Sequence, residues 1–358
     1  MRLLLEAHWW VDGPPSGRNV LRTIVEEWAR RHPEDLLTIR VPRTHVLAVA
    51  DELRSAGVMV EALSVPSRIQ AISALTTRAR SDRFDAVLTQ NFGALAGDAA
   101  RAVLVYDALF VSHPAWFKRW ERLYLSMIRP SLRHSDVIFT ISESENVRVG
   151  QVWPEVRERC VPVGLGVPRG LSEATPQAPA LPIGAGIPFV LSVGRLNVRK
   201  NLARLIQAFE GMATDADRHH LLIVGQPDGA VEDLGLPASV QDRVHFLGFV
   251  DDSELRWLYQ NAALFVCPSL DEGLGLPILE AANEGTKVAA SDIPVFRELG
   301  IASAYFDPRD VDSIRLAILT GLAAPVPGVS ELPYTWERTI ETMREAIKQL
   351  LADPRRKS

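Results

Sequence analysis

Strand-like and helix-like segments alternate along nearly the whole chain, and this alternation restricts the fold more than any other feature. Short apolar runs such as LLLEAHWW, LLTIRVP and FDAVLTQN are typical of strands. Between them, apolar residues return every three or four positions, as in NVLRTIVEEWARRH. The pattern resumes near residue 188 with PFVLSVGR and HLLIVGQ as strands. Such alternation predicts an α/β fold, with parallel sheets wrapped by helices.

A segment rich in proline and glycine divides this alternation in two. GVPRGLSEATPQAPALPIGAGIP has five prolines and four glycines in 23 residues, a composition typical of linkers. We predict doubly wound domains over 1–170 and 186–335, joined by a linker over 171–185. A last helix at about 336–351 is a candidate to pack back on the first domain. Ligands gather at the carboxyl ends of strands in open α/β sheets, so the cleft between the domains is the predicted site.

Two carboxylates flank a turn in DEGLGLPILEA, residues 271–281. Proline favours the first helical position, so Pro277 predicts a helix whose cap is a leucine, which accepts no hydrogen bond from the exposed amides. A phosphate would satisfy those amides and the helix dipole. Glu280, one turn into the helix, would reach a ribose hydroxyl, and Glu272 would accept hydrogen bonds from other hydroxyls. An ordinary turn with two solvated glutamates is the alternative. The amides belong to Gly273, Leu274, Gly275 and Leu276.

A basic segment, GRLNVRKN, follows the strand FVLSV. Arg195 lies at the strand end and Lys200 just before the next helix, so the two side chains are candidates to hold a diphosphate jointly. The segment lacks the G-x-x-x-x-G-K-[ST] pattern, which excludes a P-loop. Two solvated basic residues on a loop are the alternative.

Charge and hydropathy exclude several classes of protein. The net charge of −5 gives no general case for nucleic-acid binding, and no apolar run reaches the roughly 18 to 20 residues that cross a bilayer. The opening run carries Glu6 and His8 and predicts a first strand, not a signal peptide. We expect a cytoplasmic protein with two free cysteines.

These segments, taken together, resemble a known family. SVGRLNVRKNLARLIQAF, VHFLGFVDDSELRWLYQNA and LFVCPSLDEGLGLPILEAANEG closely resemble, in order and spacing, the C-terminal half of family-4 (GT4) retaining glycosyltransferases. Glu272 and Glu280 match the E-x7-E motif of that family. VLVYDALFVSHPAWF and RHSDVIFTISESE resemble, more loosely, the bacterial mannosyltransferases of surface-polysaccharide synthesis. The resemblance implies the GT-B fold, in which two Rossmann-like domains face each other across a cleft.

The resemblance also implies roles for individual residues. Arg195 and Lys200 would stabilise the charge on the leaving diphosphate, and Glu280 would bind the ribose. Glu272 would bind hydroxyls of the donor sugar, and the backbone amides of residues 273–276 would complete the donor site. Residues expected near the base or the donor phosphates are Gly225, Phe249 and Gly17, the last in the loop DGPPSG.

One position departs from the family pattern. The subgroup usually has a His-Asp pair where this chain has Tyr106 and Asp107. Because tyrosine is not a base near neutral pH, its presence predicts altered donor choice or weak activity. Asp107 remains the candidate for a catalytic contact with a sugar or acceptor hydroxyl, against a structural role at the strand end. His113 is a further candidate.

The resemblance predicts transfer of a hexose, mannose in the first place, from GDP-mannose to an acceptor hydroxyl with retention of configuration. The acceptor is a carbohydrate or a lipid-linked carbohydrate, and we expect neither a metal ion nor another cofactor. The basic, aromatic segment FKRWERLYLSMIRPSLRH suggests a peripheral contact with an anionic membrane; a helix packed on its own sheet is the alternative. A nucleotide-sugar 2-epimerase and a non-catalytic sugar-binding subunit are the other functions left open.

Overall fold

The computed structural model describes residues 1–12, 15–63, 73–184, 186–212, 219–227, 235–326 and 331–353. Contacts divide the chain into two units. The first contains Met1–Ser112, Arg119–Pro168 and Tyr334–Ser358, and the second contains His113–Lys118 and Arg169–Pro333. The chain therefore contributes one short segment to the second unit, enters it fully at Arg169, and returns to the first unit for its last helix.

The first unit is built on a parallel sheet, with the order β3-β2-β1-β5-β7-β8-β9 among the described residues. A separate two-stranded sheet pairs β4 with β6. The strands are β1 Arg2–Glu6, β2 Leu36–Val41, β3 Met59–Ala62, β4 Arg78–Ala79, β5 Ala86–Gln90, β6 Ala96–Gly97, β7 Ala100–Val105, β8 Val137–Thr140 and β9 Cys160–Pro162. The helices are α1 Trp9–Asp12, α2 Pro15–Arg31, α3 Val46–Glu52, α4 Ser73–Thr76, α5 Leu109–Ser112, α6 Arg119–Leu125, α7 Ile128–Leu132 and α8 Glu143–Val152.

The second unit repeats this architecture with the strand order β12-β11-β10-β13-β14-β15. Its strands are β10 Phe189–Val193, β11 His220–Val224, β12 Val244–Gly248, β13 Leu264–Cys267, β14 Val288–Ser291 and β15 Ala304–Phe306. Its helices are α9 Arg169–Glu173, α10 Leu202–Glu210, α11 Asp252–Asn261, α12 Leu276–Asn283, α13 Pro294–Leu299 and α14 Val311–Ala323. The apolar face of α10 packs Leu205 and Phe209 into the core of this unit.

Each main sheet contains one point at which the order of its strands reverses. In the first sheet the chain runs outward from β1 to β3, then continues at β5 on the other side of β1. In the second sheet it runs from β10 to β12 and continues at β13 beside β10. We call the carboxyl-end edges of these two strand pairs the first and second switch points. The loops diverge there and leave room for a ligand.

The last helix, α15 Trp336–Ala352, belongs to the first unit. It buries Ile340, Met343 and Ile347, and Arg344 Nε donates to Asp35 Oδ2 at 2.8 Å. Burial alone would raise the pKa of Asp35, but Arg344 and the other donors around it bring the value to about 2.

Several sequence predictions need correction at their ends. The predicted first strand, LLLEAHWW, stops at Glu6, and α1 begins at Trp9. The predicted loop DGPPSG gives way to α2, which includes Gly17, while residues 13–14 lie outside the described residues. RIQAISALTTRARS, residues 68–81, has apolar residues at helical spacing and predicts one helix. Its described part forms only α4 and the short strand β4, and residues 68–72 lie outside the described residues.

The basic segment 117–134 forms two short helices, α6 and α7, instead of one. In a continuous helix the ring of Pro130 would clash with the carbonyl group of Ser126, four residues earlier. With the chain broken before Ile128, Pro130 falls in the first turn of α7, where its missing N–H costs nothing. The prediction of a single helix is therefore wrong.

Candidate functional site

The acidic and basic segments predicted from the sequence meet at the second switch point. A short 3-10 helix, Val198–Lys200, follows β10, and the loop to Glu272 follows β13. Lys200 Nζ lies 2.7 Å from Glu272 Oε1, and an Arg199 amino group pairs with Glu272 Oε2. Ser269 Oγ also donates to Oε1, at 2.8 Å. Glu272 and Lys200 are both buried, so the carboxylate joins the two loops from inside.

Charge governs the ionisation of Glu272. Burial by itself would raise the pKa of this carboxyl, but Arg199 and Lys200 outweigh it and lower the pKa to about 2. The group is therefore ionised throughout the neutral range. A buried carboxylate with two cationic partners is strongly destabilised when one partner is removed.

Asn201 holds the two loops in register. Its backbone has a φ of 56°, in the left-handed region that asparagine tolerates better than most residues. Its Nδ2 donates to the carbonyl of Pro268 at 3.0 Å and to that of Pro308 at 2.7 Å. The amide of Leu270 also donates to the Arg199 carbonyl at 2.9 Å. The bonds that involve Pro268 and Leu270 fix the cationic loop against the acidic one, and the bond to Pro308 ties it to the loop after β15.

The helix start at the acidic pair differs by one residue from the prediction. Helix α12 begins at Leu276, and its N-cap is Gly275 with a φ of 95°, so the prediction of Leu276 as the cap is wrong. A Cβ at Gly275 would lie 2.6 Å from the Phe296 ring and would need a left-handed backbone. Glycine is required here for both reasons. No side chain caps this helix. Gly273 and Leu274, which precede the cap, are buried.

Glu280 lies one turn into α12, where it accepts a hydrogen bond from the Tyr259 hydroxyl at 2.8 Å. Desolvation of the carboxyl raises its pKa, the tyrosine hydrogen bond and Lys200 oppose the rise, and the value is about 7. The residue as a whole is partly exposed. The two acids of the motif thus differ: Glu272 is fully ionised at neutral pH, while Glu280 is near its midpoint.

Glycines let the loops of this edge approach each other closely. Gly225 follows β11 with a φ of 144°, and a Cβ there would lie 1.8 Å from the Gly194 carbonyl oxygen. Arg195, the residue after Gly194, lies on the same edge. Phe249 follows β12 with 68% of its surface exposed. The structure brings these predicted residues to one edge; their roles toward a nucleotide remain predictions.

His113 belongs to the short segment that the chain contributes to the second unit. Its Nε2 lies 2.8 Å from Asp271 Oδ2, and its ring stacks on Trp116 at 4.0 Å. Asp271 Oδ1 accepts the Glu272 amide at 2.8 Å. His113 therefore helps to fix the loop that carries Glu272.

Tyr106 and Asp107 follow β7 at the carboxyl-end edge of the first sheet. The Tyr106 hydroxyl donates to Gln90 Oε1 at 2.5 Å, and burial raises the pKa of the phenol, so Tyr106 stays neutral with its donor engaged. Asp107 Oδ1 accepts the Leu109 amide at 3.2 Å, at the start of α5. This contact gives Asp107 a structural role; its catalytic role remains a prediction.

Four residues that shape the second switch point were not predicted from the sequence. Three of them were partly indicated by their positions. Two are the direct neighbours of Lys200 in the chain, and a third lies three residues before Glu272. The residues are Arg199, Asn201, Ser269 and Tyr259. Within the described part of the chain, His, Cys, Asp and Glu form no group of three or more suited to a metal ion. In the same part, no helix has the length and apolarity to span a membrane.

Comparison with known proteins identifies relatives of both halves of the chain. The family model described as glycosyl transferases group 1 matches residues 176–324. The O-antigen chain mannosyltransferase B of Escherichia coli is 30% identical over 241 residues, which are 62% of this chain and 63% of that protein. The phosphatidyl-myo-inositol mannosyltransferase of Mycobacterium leprae is 32% identical over 189 residues, 50% and 48% of the two chains. The chain thus spans less than two thirds of the length of these relatives.

Among solved structures, Anabaena HepE in complex with UDP and glucose aligns with a TM-score of 0.66 at 15% sequence identity. The alignment covers 97% of this chain and 99% of that one. At this identity the likeness establishes the fold alone. The predicted GT-B fold of two Rossmann-like, parallel-sheet units is confirmed, as is the resemblance to glycosyltransferases related to bacterial mannosyltransferases.

Proposed function

Because residues 176–324 are a glycosyl transferases group 1 domain, we propose that this chain transfers a hexose from a nucleotide diphosphate sugar to an acceptor hydroxyl. Mannose from GDP-mannose is the favoured donor, and the configuration at the anomeric carbon is retained. The acceptor is a carbohydrate or a lipid-linked carbohydrate of polysaccharide or glycolipid synthesis. The observation that carries this proposal is the cluster of Glu272, Lys200 and Arg199 beside a helix start that no side chain caps.

The cluster suits a diphosphate for electrostatic reasons. An ammonium has three donors and a guanidinium five. Lys200 and Arg199 can therefore keep their ion pairs with Glu272 and still donate hydrogen bonds to phosphate oxygens. The amides at the start of α12 and the helix dipole add further attraction for an anion. As the bond from the sugar to the diphosphate breaks, negative charge grows on the leaving oxygens. Positioned cations stabilise that charge and lower the barrier.

Glu280 is placed to bind the ribose of the same nucleotide. A ribose hydroxyl donates best to an ionised carboxylate, and the Tyr259 hydrogen bond already holds one oxygen of Glu280 in place. Nucleotide binding therefore favours release of the proton from Glu280. In this arrangement Arg195, Lys200 and the α12 amides bind the diphosphate, and the reaction takes place with neither a metal ion nor another cofactor. Treatment with EDTA is expected to leave the transfer rate unchanged.

A thermal-shift panel followed by product analysis tests the proposal. A ligand that binds only the folded state raises the melting temperature, so GDP, UDP and dTDP are compared first, then their sugars. We expect GDP and GDP-mannose to give the largest shifts, and Glu280→Gln to reduce them. Asp292→Asn, an exposed carboxylate that pairs with Arg297 in the same unit, is the control and keeps the wild-type shift. No shift with any nucleotide would contradict the proposal.

We also propose that the acceptor lies at an anionic membrane, where α6 contacts the lipid surface. No residue of α6 is buried, and Trp120 and Leu123 are 64% and 74% exposed. Arg119 and Arg122 are exposed beside them. Exposed apolar side chains flanked by arginines suit the interface of an anionic bilayer. The attraction of each basic residue to the anionic surface contributes about 1 kcal/mol to binding.

Vesicle sedimentation tests the membrane contact separately. We expect binding to vesicles that contain phosphatidylglycerol, weaker binding in high salt, and loss of binding in a Trp120→Ser/Leu123→Ser double variant. The double variant Leu36→Ser/Leu47→Ser, which also removes exposed apolar side chains from the first unit, is the control. Equal sedimentation of the protein with neutral and anionic vesicles would contradict the contact.

A further inference from the structure

Two histidines lie side by side on neighbouring strands of the second unit, and we call them the histidine pair. His220 is the first residue of β11, and His245 is the second residue of β12. His220 Nδ1 lies 2.9 Å from His245 Nε2. The ring planes are within 10° of parallel, and the ring centroids are 5.2 Å apart. The rings therefore meet through these two nitrogens and not through their faces.

The contact requires one hydrogen between the two facing nitrogens. In a neutral imidazole one nitrogen carries a hydrogen and the other accepts, so two neutral rings form an N–H···N bond. If one ring takes up a proton, it becomes the donor, and its charge strengthens the bond. If both rings are protonated, both facing nitrogens carry a hydrogen, and two positive charges repel each other. The histidine pair can thus take up one proton without opening, but not two.

The surroundings of the histidine pair favour its uncharged form. Burial lowers the pKa of His220, and the charges of His245 and Arg243 lower it further. Burial also lowers the pKa of His245, although a hydrogen bond with the backbone of Asp242 and the Asp242 carboxylate oppose the fall. His219, next to His220 in the chain, is a further titratable group nearby. At neutral pH both rings are therefore uncharged, and the bond between them is intact.

The groups across the sheet from the histidine pair are apolar. The register partner of His220 in β10 is Phe189, and that of His245 in β11 is Leu222. Within the described part of the chain, Asp242 and Arg243 are thus the charged groups that act on the pair, both from the turn that leads into β12.

The histidine pair joins the outermost strand of the second sheet to its neighbour. Strand β12 stands at the end of the strand order and, among the described residues, pairs with β11 alone. The register of this pairing shifts between Ile223 and Val224, and such an irregularity disrupts the ladder locally. A strand with one neighbour and an interrupted ladder opens more easily than a central strand. A side-chain bond between β11 and β12 therefore matters at this edge.

The carboxyl end of β12 carries residues that were predicted to lie near the nucleotide. The Gly225 amide donates to the Gly248 carbonyl at 2.8 Å, and Phe249 follows directly. Gly248 comes three residues after His245, which is about 10 Å along a strand. A displacement of β12 at the histidine pair would therefore reach the edge at which Gly225 and Phe249 lie.

We propose that the histidine pair is an acid-sensitive contact, which holds β12 on the second sheet while no more than one ring is protonated and releases it when both are. Release of β12 disturbs the edge that carries Gly225 and Phe249. The release itself is independent of the proposed transfer, whereas its effect on nucleotide binding rests on that proposed function.

The direction of the pH effect follows from the two lowered pKa values. When the contact opens, both rings return toward their ordinary pKa of 6.5, so the open form binds more protons than the closed one. The contribution of the histidine pair to stability is complete above about pH 6.5 and is lost as the pH falls. Each proton taken up on opening shifts the equilibrium toward the open form by up to about tenfold per pH unit.

Amide variants separate protonation from loss of the contact. The amide of glutamine reaches the position of Nε2, and that of asparagine the position of Nδ1. Because an amide offers both donors and an acceptor, His245→Gln and His220→Asn can keep a bond between the strands whether or not the remaining ring is protonated. His245→Leu removes the bond at every pH. His134→Asn, at an exposed histidine of the first unit, is the control.

Hydrogen–deuterium exchange of residues 244–248 in the full chain measures the release of β12, after correction for the pH dependence of the intrinsic rate. Between pH 7.5 and 5.0 we expect protection to fall at least about tenfold in wild type and His134→Asn. The fall should stay below about threefold in His245→Gln and His220→Asn, and His245→Leu should show low protection at both pH values. An equal fall in wild type and both amide variants, or full protection of wild type at pH 5.0, overturns the proposal.

A titration of the wild-type protein followed by NMR tests the pair without relying on the folding of a variant at low pH. The chain has 8 histidines, and the Cε1–H signals of the pair are identified at pH 7.5 by their loss in His220→Asn and His245→Gln. We expect both signals to titrate below pH 6.5, each responding to protonation of the other ring. Independent titrations, or midpoints at or above 6.5, overturn the proposal.

The affinity for GDP tests the link to the nucleotide edge. Glu280 contributes its own pH dependence, so wild type is compared with His245→Gln, which retains Glu280. We expect calorimetric titration to give equal affinities at pH 7.5, and binding by wild type about threefold to tenfold weaker than by His245→Gln at pH 5.5. Equal affinities at both pH values overturn the link. No binding of GDP by either protein at pH 7.5 counts against the proposed transfer and leaves the exchange result standing.

Discussion

The two switch points share a topology and differ in chemistry. At the second, the carboxylate of Glu272 pairs with an ammonium and a guanidinium. At the first, the carboxylate of Glu6 holds an imidazole and a hydroxyl. The second arrangement concentrates positive charge where a diphosphate is proposed to bind, and the first holds a buried imidazole in one orientation. The fold thus selects the place of a site, while the residues of the loops select the ligand.

The largest difference is expected when each carboxylate is neutralised. Glu272→Gln leaves Lys200 and Arg199 without their buried partner, so we expect the free energy of unfolding to fall by about 3–5 kcal/mol and transfer to be abolished. Glu6→Gln removes a charge that binds an imidazole and a hydroxyl, and we expect the free energy of unfolding to fall by about 1–3 kcal/mol. Urea unfolding of the two variants measures both values. If Glu6→Gln lowered the free energy of unfolding more than Glu272→Gln does, the distinction between the two sites would be contradicted.

Loss of the lysine tests whether charge at the second switch point acts on the reaction. Lys200→Met removes a cation that would stabilise the leaving diphosphate, so we expect kcat with GDP-mannose to fall by about 100-fold to 1000-fold. Lys287→Met is the matched control, because Lys287 Nζ in the same unit bonds the Leu322 carbonyl at 2.6 Å. Equal effects in the two variants would show that the loss reflects folding and not catalysis.

The second switch point is expected to depend on pH near neutrality. The pKa of Glu280 is about 7, so the charge of this carboxyl changes around that pH. Since the ribose is proposed to bind the ionised form, the affinity for GDP should fall as the pH drops below 7, by up to about tenfold per pH unit. In the free protein the raised pKa means that the folded state binds more protons than the unfolded one between about 4.5 and 7. The contribution of Glu280 to stability is therefore lost as the pH rises through this window.

Calorimetric titration with GDP from pH 5.5 to 8.5 measures this linkage. Glu280→Gln serves as the control, since it retains only the pH dependence that the phosphate groups of GDP contribute. The same slope in wild type and Glu280→Gln would contradict the assignment of Glu280 to the ribose.

The smallest effect is expected at the contact between His113 and Asp271. Each of Asp271→Asn and His113→Gln loosens the loop before Glu272, and we expect kcat/KM to fall about threefold to tenfold. Because the two side chains are in contact, the double variant should lose less than the product of the two single effects. Fully multiplicative losses would show that His113 acts independently of the Glu272 loop.

The strands at the centre of each sheet were predictable because they are buried on both faces. FVLSV, HLLIV and LFVC are predominantly apolar runs, and these match β10, β11 and β13. The edge strand β3 was missed because MVEA is only partly buried and lacks such a run. The helical pattern of DSELRWLYQNA, residues 252–262, predicts α11 nearly to the residue, and the capping box between Asp251 and Glu254 explains why the start of this helix is well defined.

The candidate site was predicted less completely than the fold, for physical reasons. The spacing of Glu272 and Glu280 was visible, but the direction of the Arg199 side chain depends on the 3-10 turn that presents it. The partner of Glu280 is Tyr259, which comes from a different helix 21 residues earlier. His8 lay inside a predicted strand, so only the early end of β1 reveals its position at the sheet edge. Contacts between distant segments decide each of these cases.

A crystal structure with GDP-mannose tests the central claim most directly. We expect diphosphate oxygens within hydrogen-bonding distance of Lys200 Nζ and of the amides at the start of α12, with a ribose hydroxyl bound to Glu280. Diphosphate density at the first switch point, or a nucleotide that leaves Lys200 and Glu280 without contact, would contradict it.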